Sequence, residues 1–470
     1  MKIIEKSIKY LFLFFIIISC LFGLVFLFIK TYDNGKFYNI IFEKTKPIIT
    51  LLDDNIKGIG NSTQVLRVKL QDEGAGLDAY NVSLNQKNRH IQLESKKLKG
   101  EKEKIIEIPL SFRELKLTEG VANVIIKAFD KSFWNNHREV NFNLEVDARF
   151  PKLKVITSQH NLLFNGVQLV VYQAHDDNLK RHGVQYGEKF FQGFPINLID
   201  SSIKDNDVYG VFYSILESDN KSFVPVVIAE DNVGNKVEKT FYNKKMKRRV
   251  NNYTSSLTSY FAKVISKRLN KNENESYEEF FDRVLRKNQK KESREIFEAL
   301  HDVIFDTQLT LPFVAQHATV IKNFGSIINY TYEKKDICEK KEEGATFSLF
   351  QDEDSVKAIS NGTVLFVKKM NYYGNIVAVA HGGSVVALYS MAGEPLVKSG
   401  EKVEVSQGLL KKGNSGISVL DNEYLLEIRI NGYPVNPQEF FDNFWCGEHI
   451  TNKLNLVKED LGLITPQFNF

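Results

Sequence analysis

A chain of 470 residues with 43% hydrophobic and 26% charged residues has room for more than one domain, each with its own core. Lysine and arginine number 62 against 58 aspartates and glutamates, and a net charge of +4 argues against a nucleic-acid binder. Three cysteines are too few for a disulfide scaffold. Cys20 lies in an apolar run, so a Cys338–Cys446 bridge or two reduced thiols are the remaining choices.

Residues 10–29 are almost wholly apolar. As a helix, twenty residues rise about 30 Å, the thickness of a bilayer's hydrocarbon core. Lys2, Lys6 and Lys9 precede the run and Lys30 closes it, which predicts a single-pass anchor with its N-terminus in the cytoplasm. The body is then expected outside the cytoplasmic membrane, in the periplasm or its equivalent. Two other readings stand beside the anchor: a lipoprotein site at Ile18-Ser19-Cys20, and a cleaved signal peptide. The run is long for a cleaved signal, and mostly apolar residues follow Cys20 where a polar tether would stand.

From about Ile56 the texture turns to β, with short alternating runs at Val65–Leu70, Ile105–Ile108 and Val121–Ala128. A weak repeat links Ala128-Phe129-Asp130 through Asn135 to Ala229-Glu230-Asp231 through Asn235. Each time a strand ends in Ala-x-Asp, turns, and restarts as an alternating strand. This resembles bacterial immunoglobulin-like sandwiches and implies two modules, 56–147 and 148–245. One larger all-β domain is the alternative. The basic run Lys244, Lys245, Lys247, Arg248, Arg249 reads as a solvated linker, with an anionic wall polymer or lipid headgroup as the other reading.

Over 251–306 the period becomes helical. Ser276-Tyr277-Glu278-Glu279 fits a capping box, followed by Phe280, Phe281, Val284 and Leu285 on one face. Ile296, Phe297, Leu300, Val303 and Ile304 repeat the spacing. The expectation is a helical linker, with a regulatory or docking element as the sharper reading.

From Leu309 the β pattern returns, and glycine turns arrive in a fixed order. Tyr373-Gly374-Asn375 opens a hairpin that leads to His381-Gly382-Gly383. Leu388-Tyr389-Ser390-Met391, Val397-x-x-Gly400-x-x-Val403, and Gly413-Asn414-Ser415-Gly416 follow. Tyr424 to Asn436-Pro437 reads as a last strand with an Asn-Pro exit. Over 309–441 this resembles the LytM/lysostaphin-type zinc peptidases, which cut peptidoglycan peptides. The remaining 447–470 reads as a tail. The fold expected is therefore mainly β: an N-terminal transmembrane helix, two sandwich modules, a short helical segment, and a C-terminal antiparallel LytM-like domain.

The family takes zinc with a His and an Asp from a His-x-x-x-Asp motif and the second His of a His-x-His. Here those positions carry Glu342, Thr346 and Leu425. The catalytic histidines correspond to Met391 and Glu423. Leucine and methionine are poor partners for a hard cation, and threonine is a weak neutral one. The resemblance thus implies neither a catalytic residue nor a zinc cofactor, only a groove with Glu342, Tyr389, Glu423 and Glu427 as candidate contacts. The first motif is the weakest match, so Asp352 or Asp354 could lie nearer the groove than Thr346. His381 reads as structural, and His175 and His182 beside Asp176 and Asp177 as an exposed loop.

The function expected is a catalytically degenerate scaffold or regulator in peptidoglycan remodelling or division. Its partners would be peptidoglycan, a wall hydrolase or a division protein, with no nucleic acid. An active zinc endopeptidase with an altered ligand set, and an adhesin-like binding protein, are the alternatives.

Overall fold

A computed structural model describes residues 2–32, 36–52, 56, 58–216, 219–247, 250–301 and 303–465. It is mainly β and opens on the apolar helix Lys2–Thr31. Within it Leu11–Thr31 is long and apolar enough to cross a membrane. The chain forms two compact units, residues 1–150 with 231–235, and residues 151–230 with 236–470.

The first unit is a sandwich of two sheets. Gly120–Asp130 sits centrally in a five-stranded sheet between Leu77–Gln86 and His137–Val146. Gln64–Gln71 pairs with Glu103–Leu110 and Ile48–Leu51 in a second, three-stranded sheet. Alternation drives the packing: Leu66, Val68 and Leu70 point inward from one sheet, and Val82, Val124 and Ile126 from the other.

The repeated Asp closes each hairpin. Asp130 accepts from the Ser132 N–H and from the Asn136 amide at 2.9 Å. Asp231 accepts from the Val233 N–H and from the Asn235 amide at 2.7 Å. The first loop is two residues longer, and Asn136 rather than the expected Asn135 makes the closing bond.

In the second unit, Lys152–Val155, Gln168–His175 and Val208–Tyr213 form one sheet, and Leu179–Tyr186 with Val226–Asp231 the centre of another. Their apolar residues join one continuous core with the C-terminal domain; Phe212 meets Phe440 at 6.1 Å between ring centres. The C-terminal sheet runs in the order 318–322, 345–349, 423–430, 385–392, 374–382, 362–370, 402–403.

Two segments differ from the sequence expectation. The stretch 251–306, expected to be a linker, is built into this unit. Strand Asn252–Leu257 pairs in parallel with Ile327–Tyr332. Phe280, Phe281, Val284 and Leu285 bury against Ile328 and Tyr330, because the apolar helix face found a sheet to cover. The helix ends at Leu300, and Val303 beyond it is exposed. The expected tail also packs over its described residues, 447–465: helix Asn452–Asp460 buries Leu454 and Val457, and Lys453 donates to the Leu169 carbonyl at 2.7 Å. Of the basic run, Lys244–Met246 is a short strand, and Arg248 and Arg249 lie outside the described residues. All three cysteines are free.

Candidate functional site

Ladder register decides which side chains share a face. Lys322 pairs with Thr346, Thr346 with Leu425, and Leu425 with Ser390, giving one row across four strands. Glu423 stands two residues before Leu425 on the same strand, and two-residue spacing keeps both on one face.

Met391 reaches that face by a different route. The ladder between Gly374–Gly382 and Val385–Ala392 slips there: Ile376 faces Ser390 and Asn375 faces Ala392, leaving Met391 unopposed. Its φ of 67° marks the bulge. Tyr389 and Met391, two apart, consequently point to opposite faces. Met391 packs with Leu425. Tyr389 goes to the other side with Tyr424 and Leu426, and its hydroxyl accepts the Ile359 N–H at 3.0 Å.

Glu342, Thr346, Met391, Glu423 and Leu425 all line one pocket of about 370 Å³. Helix Ser259–Arg268 and the strand before it supply further walls through Leu257, Tyr260 and Phe261. Arg268 ties this helix to the glycine turn, donating to the Gly416 carbonyl at 3.0 Å and to the Asn414 side chain. At the far end, Glu292 accepts backbone N–H groups of Asn371, Tyr372 and Tyr373, the first at 2.9 Å. These bonds fix the helices to the sheet by charge-assisted contacts rather than by apolar area alone.

Two expected groove contacts lie elsewhere. Tyr389 is on the opposite face because of the bulge. Glu427 shares the face but sits beneath helix Gln289–Leu300, fully buried. It accepts from Arg429 Nε at 2.9 Å and from the Tyr373 hydroxyl at 3.0 Å. Arg429 also reaches Glu343 at 3.0 Å and Ser293 at 3.1 Å. Burial pushes the Glu427 carboxyl up, against the pull of Arg429.

Sequence reasoning missed Lys340. Its ammonium is buried, 3.0 Å from Glu342 and bonded to the Tyr372 hydroxyl. Desolvation opposes the charge, but Glu342 and the surrounding groups hold the ammonium above its ordinary pKa. The signal was present: Lys340 stands two residues from Glu342 in an extended stretch, and so on its face. Lys322, which also lines the pocket, was legible only through the register.

Glu423 is half-buried, and desolvation raises its pKa despite Lys322 nearby. Asp352 lies 3.5 Å from His317, Asp354 accepts from Ser355, and neither lines the pocket. His381 is fully buried behind the sheet; Nδ1–H donates to the Asn361 carbonyl at 2.8 Å, and burial lowers its pKa to about 4. His182 meets the Tyr172 hydroxyl at 2.7 Å, and His175 pairs with Asp207 at 2.7 Å. Among the described residues, no group of three or more His, Cys, Asp or Glu ligand atoms converges on this pocket.

The antiparallel sheet in this order carries the glycine turns, and the pocket lies over strand Glu423–Ile430. The sequence profile of Peptidase family M23 matches residues 340–437, and the C-terminal domain is an M23, LytM-type domain. The murein hydrolase activator EnvC of Escherichia coli (strain K12) is 37% identical over 83 residues, 18% of this chain and 20% of that protein. An uncharacterized protein of Haemophilus influenzae is 35% identical over 82 residues, 17% of this chain and 20% of its own length. The chain thus spans about a fifth of the length of these curated relatives. A crystal structure of a putative M23 peptidase from Pseudomonas aeruginosa aligns with 59% of this chain and 94% of its own, at 14% identity and TM-score 0.36.

Proposed function

We propose that this chain is a membrane-anchored M23-type protein that serves peptidoglycan remodelling or division as a non-catalytic scaffold or regulator. One observation carries the reading: the only charged residue at the three ligand positions, Glu342, is engaged by the buried ammonium of Lys340. The other two positions offer a threonine hydroxyl and a leucine. Zinc in such a site needs three protein donors around an open position. One carboxylate bound to an ammonium, one neutral hydroxyl and a hydrocarbon do not fit that need. Met391 and Glu423 at the catalytic positions leave no imidazole to move a proton or steady an oxyanion.

The name of the Escherichia coli relative, a murein hydrolase activator, supports a regulatory role, over the 83 matched residues alone. Its partner here would be peptidoglycan or a wall hydrolase. The apolar helix supports an anchor, and Lys2, Lys6 and Lys9 support a cytoplasmic N-terminus with the body outside. The two sandwiches fit immunoglobulin-like modules, through the repeated Asp-closed hairpin.

The test is zinc content together with cleavage of muropeptides by the purified full-length protein in detergent. We expect zinc far below one per chain and no released product. Stoichiometric zinc with cleavage would overturn the proposal in favour of an endopeptidase with altered ligands.

A further inference from the structure

We infer that the pocket under the helices binds a zwitterionic α-amino acid end, with its ammonium at Glu423 and its carboxylate at Lys322. This deepens the function proposed above, and rests on it only for the choice of a wall peptide as carrier.

Both residues line the pocket and both are half-buried. Among the described residues neither side chain has a hydrogen-bond or ion-pair partner, although the charge of Lys322 acts on Glu423. The remaining carboxylate on the wall, Glu342, is already taken by Lys340. The pocket therefore presents one available anion and one available cation.

The register sets their separation. Lys322 lies two strands from Leu425, and Glu423 lies two residues along that strand. With strands about 4.8 Å apart and residues rising about 3.4 Å, the two Cα atoms stand roughly 12 Å apart. The two side chains do not pair with each other in this structure, which leaves both charged ends open to the pocket. A group carrying both charges on one carbon satisfies the two at once. A ligand with one charge leaves the other residue desolvated and unpaired. Phe261, Met391 and Leu425 supply apolar wall for a methylene chain leading to that end. A diamino acid in a wall peptide, bearing a free side-chain terminus, has this chemistry: a hydrocarbon stem ending in a zwitterion.

The full-length protein in detergent would be titrated calorimetrically with four probes. These are a disaccharide tripeptide with a free diaminopimelate end, the same molecule acetylated at that amine, the same amidated at that carboxylate, and free diaminopimelate. The unmodified tripeptide is expected to bind saturably, and either modification to weaken it at least tenfold. Glu423→Gln should lose the sensitivity to acetylation, and Lys322→Met the sensitivity to amidation. The modified ligands keep the inference testable on the unaltered protein should a variant fold poorly. Equal binding by free diaminopimelate would support the site and name a free amino acid as its occupant. Equal affinity for all three tripeptides, or no saturable binding of any probe, would overturn the inference. Neither result touches the zinc and cleavage assay, on which the proposed function stands or falls separately.

Discussion

At the scale of single residues, the pocket is governed by which charges are already answered. Lys340 and Glu342 are both nearly inaccessible, so each depends on the other for a counter-charge. Removing one partner strands the other. Lys340→Met should therefore cost about 3–5 kcal/mol of stability in denaturant unfolding, the range for broken buried pairs. The double substitution Lys340→Met with Glu342→Leu should recover most of that loss, because two apolar groups leave no unpaired charge. If the double variant is as unstable as the single, the ion pair is not the source of the effect. Met391 makes a related point. Strict alternation groups it with Tyr389, and only the slipped ladder separates them. A single unopposed residue thus decides which side chain reaches the pocket and which joins the opposite core.

At the scale of elements, the segment 251–306 is the largest departure from the sequence reading. Its helices were legible. The capping box forms as expected, with Ser276 accepting the Glu279 N–H at 3.1 Å and the Glu279 carboxylate accepting the Ser276 N–H at 2.9 Å. Ser276→Ala should lower stability by about 1 kcal/mol, measured as a reduced denaturant midpoint, and Ser276→Asp should restore most of it. The role of the helices was not legible. An apolar stripe states that a surface must be covered and says nothing of which surface. Glu292 on the 371–373 turn and Arg268 on the 414–418 turn make that choice, over sequence separations no local pattern encodes.

At the scale of the whole molecule, the buried histidines of the second unit link its stability to pH. Burial lowers the pKa of His160 to about 3 and of His182 and His381 to about 4. Each is neutral in the folded protein. Between pH 4 and 6.5 the unfolded chain binds more protons than the folded one, so stability rises with pH across that window and is lost on acidification. For His381 the shift is worth about 3 kcal/mol. His381→Gln should flatten the dependence by roughly that amount, read from denaturant midpoints at pH 4.5 and 7; an unchanged slope would refute the assignment. Lys453, lowered to about 7 by burial, acts in a second window. Its unfolded form holds a proton the folded form has lost between pH 7 and 10.5, so stability should climb there too, and Lys453→Met should remove that climb.

The sequence by itself determined the strands, the apolar N-terminal helix, the M23-type turns and five of the residues that line the pocket. These are local or periodic properties, written in alternation and in glycines where the chain must turn. Thr346, Leu425, Glu423, Glu342 and Met391 do meet at one pocket, and their order along the chain was enough to nominate them. Only the tertiary structure decided that Glu427 is sealed beneath a helix, that Tyr389 faces away, and that an ammonium from Lys340 answers Glu342. Only it placed Lys322 in the same row as Thr346 and Leu425. Register across strands and the docking of a helix on a sheet are long-range choices, set by burial and charge pairing between segments far apart in the chain.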